Sequence, residues 1–308
     1  MSIPRIVVIG AATLDIKGKA KRALLPLTSN PGDIHFGPGG EARNVAENLA
    51  RLGLETILLS AVGQDSIGAT IIADTAAAGV DISRVIQSEA YRSPTYLAVL
   101  DDSGALAISI EDMDALTLIR PQFIFQHRSC FAGAAMVVID ANLSERAIQS
   151  VLRIAEHYRV PVAANTVSVG LAARLRPFLS RLSILTANAA EASALLEEQI
   201  SDTRGAQAAA QRFVAMGVGT VIITLADMGL CYATSRESGH MPAIRCDVVD
   251  YTGAGAALMA AVIYGLVNAF PINEAMRLGV SAATLTLKCP ETVSKEMSLD
   301  SLYNALVI

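Results

Sequence analysis

Short, continuous apolar segments rich in Val and Ile recur along this 308-residue chain and constrain its fold more than any other feature. The segments are 5–9, 56–59, 136–139, 160–164, 183–185 and 220–224. Such segments are typical of strands buried on both faces of a parallel sheet. Between them lie helical patterns, at 42–52, 66–78, 144–158, 189–199 and 204–216. Strands that alternate with helices predict an α/β fold with a mostly parallel, doubly wound sheet.

Two segments interrupt this alternation, at about 12–37 and 91–111. In the second, apolar runs at 96–100 and 105–110 flank the turn-forming residues 101–104, which is typical of a β-hairpin. We therefore expect both segments to form a small antiparallel lid over the carboxyl ends of the main strands, where doubly wound sheets bind ligands. Residues 1–308 are expected to form a single α/β domain that includes this lid.

The composition argues against two classes of partner. Hydrophobic residues make up 52% of the chain, charged residues 17%, and the net charge is −5. A large core is therefore expected without the basic surface that nucleic acid or anionic lipid requires. The longest apolar stretch, 253–270, is shorter than the roughly 20 residues of a membrane helix and contains Asn268. We interpret it as a buried core helix and expect a small-molecule partner, with no nucleic acid and no membrane.

The cysteines and the first residues favour a cytoplasmic location. The four cysteines (130, 231, 246 and 289) are far apart and lack the spacing of a zinc site or a disulfide framework. Residues 1–5 lead directly into an apolar segment without the pattern of an export signal. The four histidines are scattered along the chain, and we assign none of them a catalytic role.

Three motifs occur where chemistry is expected. Residues 37–40, Gly-Pro-Gly-Gly, precede a helical pattern, so they either let a ligand approach the backbone or simply start the helix. Residues 250–256, Asp-Tyr-Thr-Gly-Ala-Gly-Ala, precede the apolar helix and would form an anion hole or serve close packing. Asn188 and Glu191 would hold a hydrated magnesium ion or form a helix-capping pair.

The order and spacing of these motifs resemble the ribokinase (PfkB-type) family of carbohydrate and nucleoside kinases. The matching patterns are GG-x3-N-x-A-x3-L-x2-LG, then NxxE, then DxTGAG, and they span most of the chain. More narrowly, the chain is similar to bacterial pseudouridine kinases at 30–32, 36–40, 43–44, 59–63, 96–97 and 112–113. The resemblance implies ATP-dependent phosphoryl transfer to the 5'-hydroxyl of a ribosyl substrate. Pseudouridine or a related nucleoside is the leading candidate for that substrate. It implies Mg2+ as a cofactor and leaves open whether a monovalent cation also binds.

The resemblance also assigns residues to the substrate. Asp15, shortly after the first strand, would accept hydrogen bonds from the sugar hydroxyls, which suits a carboxylate because it can accept two at once. An ordinary strand-end aspartate would look the same in the sequence. The other implied substrate-binding residues are Gly39, Gly40, Arg43 and Asn44.

On the nucleotide side, the resemblance implies a second set of residues. The nucleotide-binding residues are Asn188, Thr224, Ala226 and Gly229, with Glu191 at the magnesium ion. The catalytic segment, which would cradle the transferring phosphoryl group, is Gly253, Ala254, Gly255 and Ala256. Glycine is usual in the family where Ala226 stands, so we expect a narrower nucleotide site.

Ala256 is the largest departure from the family pattern. The family motif ends GAGD, and its Asp takes the proton from the attacking hydroxyl, whereas alanine has no group that accepts one. General-base catalysis contributes a factor of about 10² to 10⁴ to the rate, so we expect low turnover. We expect Ala256→Asp to increase the rate by a factor of that size. An engineered substitution and a natural change both explain Ala256. The further departures at Ala187, Ala226 and Asn165 favour natural change.

These features leave two functional hypotheses and weigh against a third. The leading hypothesis is a sugar or nucleoside kinase, and the alternative is a catalytically silent sugar- or nucleoside-binding sensor that keeps the pocket. A nicotinamide dehydrogenase is disfavoured because residues 10–14, after the first strand, lack GxGxxG. By analogy with similar kinases, the lid sheet would pair across a two-fold axis to form a homodimer.

Overall fold

The structure is a computed structural model that describes residues 3–306, so the ends of the predicted 1–308 domain lie outside the described residues. The strands are β1 (Arg5–Ile9), β2 (Thr13–Ala20), β3 (Gly32–Gly39), β4 (Glu55–Leu59), β5 (Ala61–Gly63), β6 (Ile86–Ser88), β7 (Thr95–Leu100), β8 (Leu106–Asp112), β9 (Met136–Asp140), β10 (Val162–Asn165), β11 (Ile184–Asn188), β12 (Thr220–Thr224), β13 (Leu230–Thr234) and β14 (Ser238–Met241). The α-helices are α1 (Glu41–Arg51), α2 (Ser66–Ala77), α3 (Pro121–Gln126), α4 (Glu145–Tyr158), α5 (Val169–Ala172), α6 (Ala189–Leu196), α7 (Thr203–Ala215), α8 (Ala254–Val267), α9 (Ile272–Leu287) and α10 (Leu299–Ala305).

The main sheet has eight strands within residues 3–306, in the order β14-β13-β12-β11-β10-β9-β1-β4. Neighbours from β12 to β4 are parallel, whereas β13 and β14 at one edge are antiparallel. The predicted α/β fold with a mostly parallel sheet is confirmed. The two antiparallel edge strands were not predicted because neither contains Val or Ile.

Helices cover both faces of the main sheet, as a doubly wound fold requires. Along β1, Val7 and Ile9 join the core cluster that includes α4 and α7, whereas Ile6 and Val8 join the cluster that includes α1 and α8. Successive side chains of a strand point to opposite faces, so a strand buried on both sides must be apolar throughout. This explains the continuous apolar segments of the sequence.

The predicted element boundaries hold to within a few residues. β10 begins two residues later than predicted, after Pro161, which has no N–H group for the sheet. α6 ends at Leu196 instead of 199 because Glu197 adopts a left-handed backbone conformation, with φ of 57°. α8 confirms the buried core helix, and among the described helices none combines the length and apolarity that a membrane crossing requires. α9 and α10 were not predicted.

A second, small sheet has the strand order β3-β2-β7-β8. Its strands come from the two segments that interrupt the alternation, with β3 extended to Gly39 and β8 to Asp112. The pairs β2–β3 and β7–β8 are antiparallel as predicted, but the central pair, β2–β7, is parallel. Each central strand is the first of its hairpin and enters the small sheet from the same side, so the two run in one direction.

Candidate active site

A row of polar residues lies along the carboxyl edge of the main sheet. Asp140, Asn165, Asn188 and Thr224 are the last residues of the adjacent strands β9, β10, β11 and β12. Parallel strands end at the same edge, so these four side chains start from neighbouring positions. Ligands of doubly wound sheets bind outside this edge.

A cleft of about 730 Å³ opens beside this row. Its size falls within the range of small-molecule sites. The predicted site residues that line it are Asn188, Glu191, Thr224, Ala226, Gly229, Ala254 and Gly255. The predicted site residues outside its lining are Asp15, Gly39, Gly40, Arg43, Asn44, Gly253 and Ala256. The structure therefore brings into one cavity the residues that were predicted to bind the nucleotide, from the NxxE motif, the segment after β12 and the start of α8.

Part of the cleft wall is apolar. It contains Leu258 of α8 and three side chains of α9, namely Val280, Ala283 and Leu287. The α9 residues stand three, four and seven positions apart, which places them on one face of the helix. This spacing was the available sequence signal for a wall that sequence reasoning missed.

The two glycines at the start of α8, Gly253 and Gly255, have different surroundings. Gly253 has a φ of 86°, and a Cβ there would overlap the carbonyl oxygen of Thr292, so this residue serves turn geometry and close packing. Gly255 lines the cleft, and a Cβ added there would meet no described atom within 4 Å. The first N–H groups of a helix lack partners within the helix, so the open side at Ala254 and Gly255 suits an anion.

Ala256 lies in the first turn of α8 with its side chain fully buried in the core. It packs in the cluster that includes α1 and the inner part of α8. The position that carries Asp in the family pattern therefore contributes only a methyl group, which cannot accept a proton.

Asp15 is buried on β2, with 7% of its surface exposed. Thr13 Oγ1 donates a hydrogen bond of 2.7 Å to Asp15 Oδ1. Burial raises the pKa of Asp15, opposed by the hydrogen bond from Thr13 and the positive charge of Lys17. A Cβ at Gly39 would overlap the Asp15 carboxyl group, so this carboxylate can lie against β3 only because residue 39 is glycine.

Arg43 is buried on α1, and its guanidinium group forms its bonds within the protein. It pairs with Glu47 and donates to the carbonyl oxygen of Pro38 at 3.0 Å and to Asn44 Oδ1 at 2.8 Å. A further bond of 3.2 Å reaches Thr75 Oγ1. These contacts support a role in positioning Asn44 and the segment before Gly39, while the substrate contact of Arg43 stays a prediction.

Thr292 joins the substrate side to the start of α8. Its Oγ1 lies 2.8 Å from the Pro38 carbonyl oxygen and 3.1 Å from Asn44 Oδ1, while its own carbonyl group packs against Gly253. A second link is the ion pair between Lys17 Nζ and Asp250 Oδ2, at 2.6 Å. The two predicted halves of the site are therefore neighbours.

Asn188 and Glu191 form a capping box at the start of α6. The Asn188 side chain accepts from the Glu191 N–H at 2.9 Å, and Glu191 Oε2 accepts from the Asn188 N–H at 2.8 Å. Thr166 Oγ1 also donates to Glu191 Oε2, at 2.5 Å. The helix-capping interpretation of NxxE is therefore confirmed. The role of Glu191 at the magnesium ion stays a prediction. Close by in the cleft lining, the buried Thr186 Oγ1 has no hydrogen-bond partner among the described residues.

Glu41 is a cleft residue that sequence reasoning missed. It is the first residue of α1, directly after Gly40, and its Oε1 accepts a 2.7 Å hydrogen bond from Asn165 Nδ2. Burial raises its pKa to about 8, together with the negative charges of Asp140, Glu191 and Asp15. An acidic residue immediately after the glycine pair was the sequence signal for this group.

Ala226 and Gly229 shape the turn that follows β12. Ala226 has a φ of 52°, in the left-handed region that favours glycine. A Cβ at Gly229 would overlap the Met241 carbonyl oxygen, so this turn packs tightly against β14. Both residues line the cleft.

The fold and the site together define a doubly wound α/β protein with a ligand cleft between the carboxyl strand edge and a glycine-rich helix start. The chain belongs to the pfkB family of carbohydrate kinases, whose model matches residues 4–298. The resemblance drawn from the sequence motifs is thereby confirmed.

Known relatives cover nearly the whole chain. It is 32% identical to the pseudouridine kinase of Escherichia coli K12 over 300 residues, which covers 97% of this chain and 95% of the relative. It is 29% identical to the guanosine-inosine kinase of Exiguobacterium acetylicum, covering 97% and 99%. The solved structure of a putative ribokinase II from E. coli in complex with ATP and Mg2+ superimposes with a TM-score of 0.84 at 19% identity, covering 99% of each chain, and supports the fold.

Proposed function

We propose that this protein is an ATP-dependent phosphotransferase that acts on the 5'-hydroxyl of a ribosyl substrate, most specifically pseudouridine. One observation carries the proposal: the open helix start at Ala254 and Gly255 adjoins the buried carboxylate of Asp15 through Thr292 and the glycine-rich end of β3. An anion site next to a hydroxyl-binding carboxylate is what phosphoryl transfer to a sugar requires.

The two walls of the cleft suit the two parts of ATP. The apolar side chains of α8 and α9 fit a nucleobase, and the helix start at Ala254 and Gly255 fits phosphate oxygens. A solved structure of the same fold was determined in complex with ATP and Mg2+, which supports ATP as the ligand of this cleft. Thr224, Ala226 and Gly229 would then lie along the nucleotide.

Magnesium fits the polar wall. Within residues 3–306, no group of three or more His, Cys, Asp or Glu residues would hold a metal ion by itself. Mg2+ is commonly bound through one or two carboxylates together with substrate phosphates and water. Asn188 and Glu191 would hold water on such an ion, and the partnerless Thr186 hydroxyl offers a further hydrogen bond. The ion would supply positive charge between the phosphate oxygens.

The substrate assignment rests on Asp15 and on the relatives. Asp15 is the buried carboxylate beside Gly39, and a sugar hydroxyl would donate to it. Pseudouridine is the first candidate because of the E. coli relative, and guanosine and inosine are the next because of the E. acetylicum relative. All three carry a ribosyl 5'-hydroxyl.

A catalytically silent nucleoside-binding sensor is the alternative function, and Ala256 is the observation that favours it. Without the Asp of the family pattern as proton acceptor, phosphoryl transfer would lose about 10²- to 10⁴-fold in rate. The sensor would keep the Asp15 pocket and bind nucleosides without turnover.

A kinase assay with a nucleoside panel tests the proposal. Phosphorylation of pseudouridine, in preference to ribose, with consumption of ATP and dependence on Mg2+ is the expected result. Asp15→Asn should raise the KM for the nucleoside about 10- to 100-fold while the KM for ATP stays near its original value, because bonds to a charged group contribute about 1.5–3 kcal/mol. Nucleoside-induced thermal stabilisation without turnover would favour the sensor, and no response to any ribosyl compound would contradict both functions.

We also propose a homodimer that forms through the small sheet. One face of this sheet carries the cross-strand row Phe36, Ile16, Leu97 and Ile110, in register across all four strands, and Ile16 is partly packed against the core. Phe36 is 76% exposed and Ile110 64% exposed. Large contiguous apolar surfaces mark interaction sites, and a second copy of the same sheet would cover this one.

A further inference from the structure

The cleft contains a carboxylate that the motif assignment leaves without a role. Glu41 lies between the two predicted halves of the site: it directly follows the glycine pair of the substrate side, and it lines the same cavity as Ala254 and Gly255. Its Oε1 is fixed by Asn165, and among the described residues no group donates to its Oε2. One oxygen is thus held in place while the other is open to accept a proton.

The other carboxylates near the site have contacts or predicted roles of their own. Asp140 accepts from the N–H groups of Ala11, Ala42 and Asn142 at 2.8, 3.2 and 3.0 Å and does not line the cleft. Asp250 pairs with Lys17, as described above. Glu191, which accepts on Oε2 alone, and Asp227 also line the cavity, but both lie among the residues predicted to bind the nucleotide and magnesium. Glu41 is the cleft carboxylate that directly follows the glycine pair of the predicted substrate side, and it has an oxygen free to accept a proton.

We propose that Glu41 is the general base of this kinase and replaces the Asp that Ala256 lacks. This inference rests on the proposed kinase function. Glu41 Oε2 takes the proton of the substrate 5'-hydroxyl while the hydroxyl oxygen bonds to the γ-phosphorus of ATP. The bond from that phosphorus to the β,γ-bridging oxygen breaks, and its electron pair leaves with ADP. The products are the 5'-phosphate, ADP and protonated Glu41.

The electrostatic surroundings of Glu41 suit this role. The ionisable groups that face it are Asp140 on β9, Glu191 on α6 and Asp15 on β2, all of them acidic. Their charges and the burial of Glu41 favour the protonated form, which makes the ionised carboxylate a stronger proton acceptor. A base whose pKa lies near the working pH combines adequate ionisation with a strong pull on the proton.

Steady-state kinetics of Glu41→Gln from pH 6 to 9.5, with pseudouridine and Mg-ATP, tests the assignment. We expect kcat to fall about 10²- to 10⁴-fold with the nucleoside KM little changed. The rise of kcat/KM with pH through about 8 should disappear in the variant. Glu145→Gln is the matched control because Glu145 is the exposed first residue of α4, outside the cleft, and it should match the original protein.

A double-variant comparison separates this inference from the kinase proposal. Ala256→Asp should raise kcat by about 10²- to 10⁴-fold in the Glu41→Gln background. Where Glu41 is kept, the gain should be far smaller than the sequence motif alone predicts, because one base suffices. Equal gains in both backgrounds, or activity that appears only with Asp at position 256, would overturn the role of Glu41 while leaving the kinase proposal intact. If Ala256→Asp fails to fold, an unchanged rate and pH profile in Glu41→Gln overturns it alone. Absence of turnover in every folded variant would contradict both the role of Glu41 and the kinase proposal.

Discussion

At the scale of single residues, Ala226 adopts a backbone conformation that disfavours an L side chain. The left-handed region costs a non-glycine residue about 1–2 kcal/mol, and glycine loses roughly 0.5–1 kcal/mol through the entropy of the unfolded chain. Ala226→Gly should therefore raise the free energy of unfolding by about 0.5–1 kcal/mol in urea denaturation. Ala190→Gly, at an exposed position within α6, is the control and should lower it by about 1 kcal/mol. Equal signs for the two variants would contradict the strain at residue 226.

Glu41 should also make stability depend on pH, independently of catalysis. Its folded-state pKa of about 8 lies above the ordinary value of 4.5, so the folded protein holds a proton that the unfolded chain has lost between these values. The contribution of Glu41 to stability is therefore present at low pH and is lost as the pH rises through about 8. Glu41→Gln removes this loss.

The measurement is the Tm of Glu41→Gln relative to the original protein at pH 5 and pH 9. The gain at pH 9 should exceed that at pH 5 by about 2 °C or more, the shift that roughly 1 kcal/mol produces in a large domain. Glu145→Gln should show the same Tm difference at both pH values. If Glu41→Gln behaves like that control, the carboxylate is not desolvated.

At the scale of elements, the start of α8 combines one glycine that the fold requires with one that the cleft requires. Gly255→Ala should increase stability by about 0.5–1 kcal/mol, because alanine is the better helix former and nothing described blocks its methyl group. The same methyl group would intrude on the proposed anion site, so kcat should fall at least about 10-fold. Thermal denaturation and kinase assays on one preparation measure both effects.

Gly253→Ala is the matched comparison in the same turn. Its methyl group would overlap the Thr292 carbonyl oxygen in a left-handed conformation, so this variant should lose stability by more than about 1 kcal/mol. A stable Gly253→Ala, or a Gly255→Ala with full activity, would contradict the division of roles between the two glycines.

At the scale of the whole molecule, the apolar face of the small sheet predicts self-association. Phe36→Glu places a charge on the edge strand β3 of this apolar face and should convert a dimer into a monomer in light scattering coupled to size-exclusion chromatography. Phe125→Glu is the control, since Phe125 is 57% exposed on α3, outside the small sheet, and its substitution should leave the dimer intact. A monomeric original protein at micromolar concentration would rule out this interface.

The sequence by itself determined the local structure and the outline of the site. The apolar segments predicted the parallel strands because burial on both faces leaves no polar positions. The glycine-rich motifs marked the starts of α1 and α8, which lie beside the cleft. The paired helix cap at Asn188 and Glu191 was also readable, because its partners stand three residues apart.

Only the tertiary structure decided which distant residues meet. Thr292 joins β3 to the start of α8, and Glu41 meets Asn165 across the cleft, although more than a hundred residues separate each pair. The apolar wall from α9 and the packing role of Gly253 became visible in the same way. Local physical chemistry specifies strands, helices and turns, but contacts between remote segments depend on strand order and chain crossovers, which no short pattern encodes.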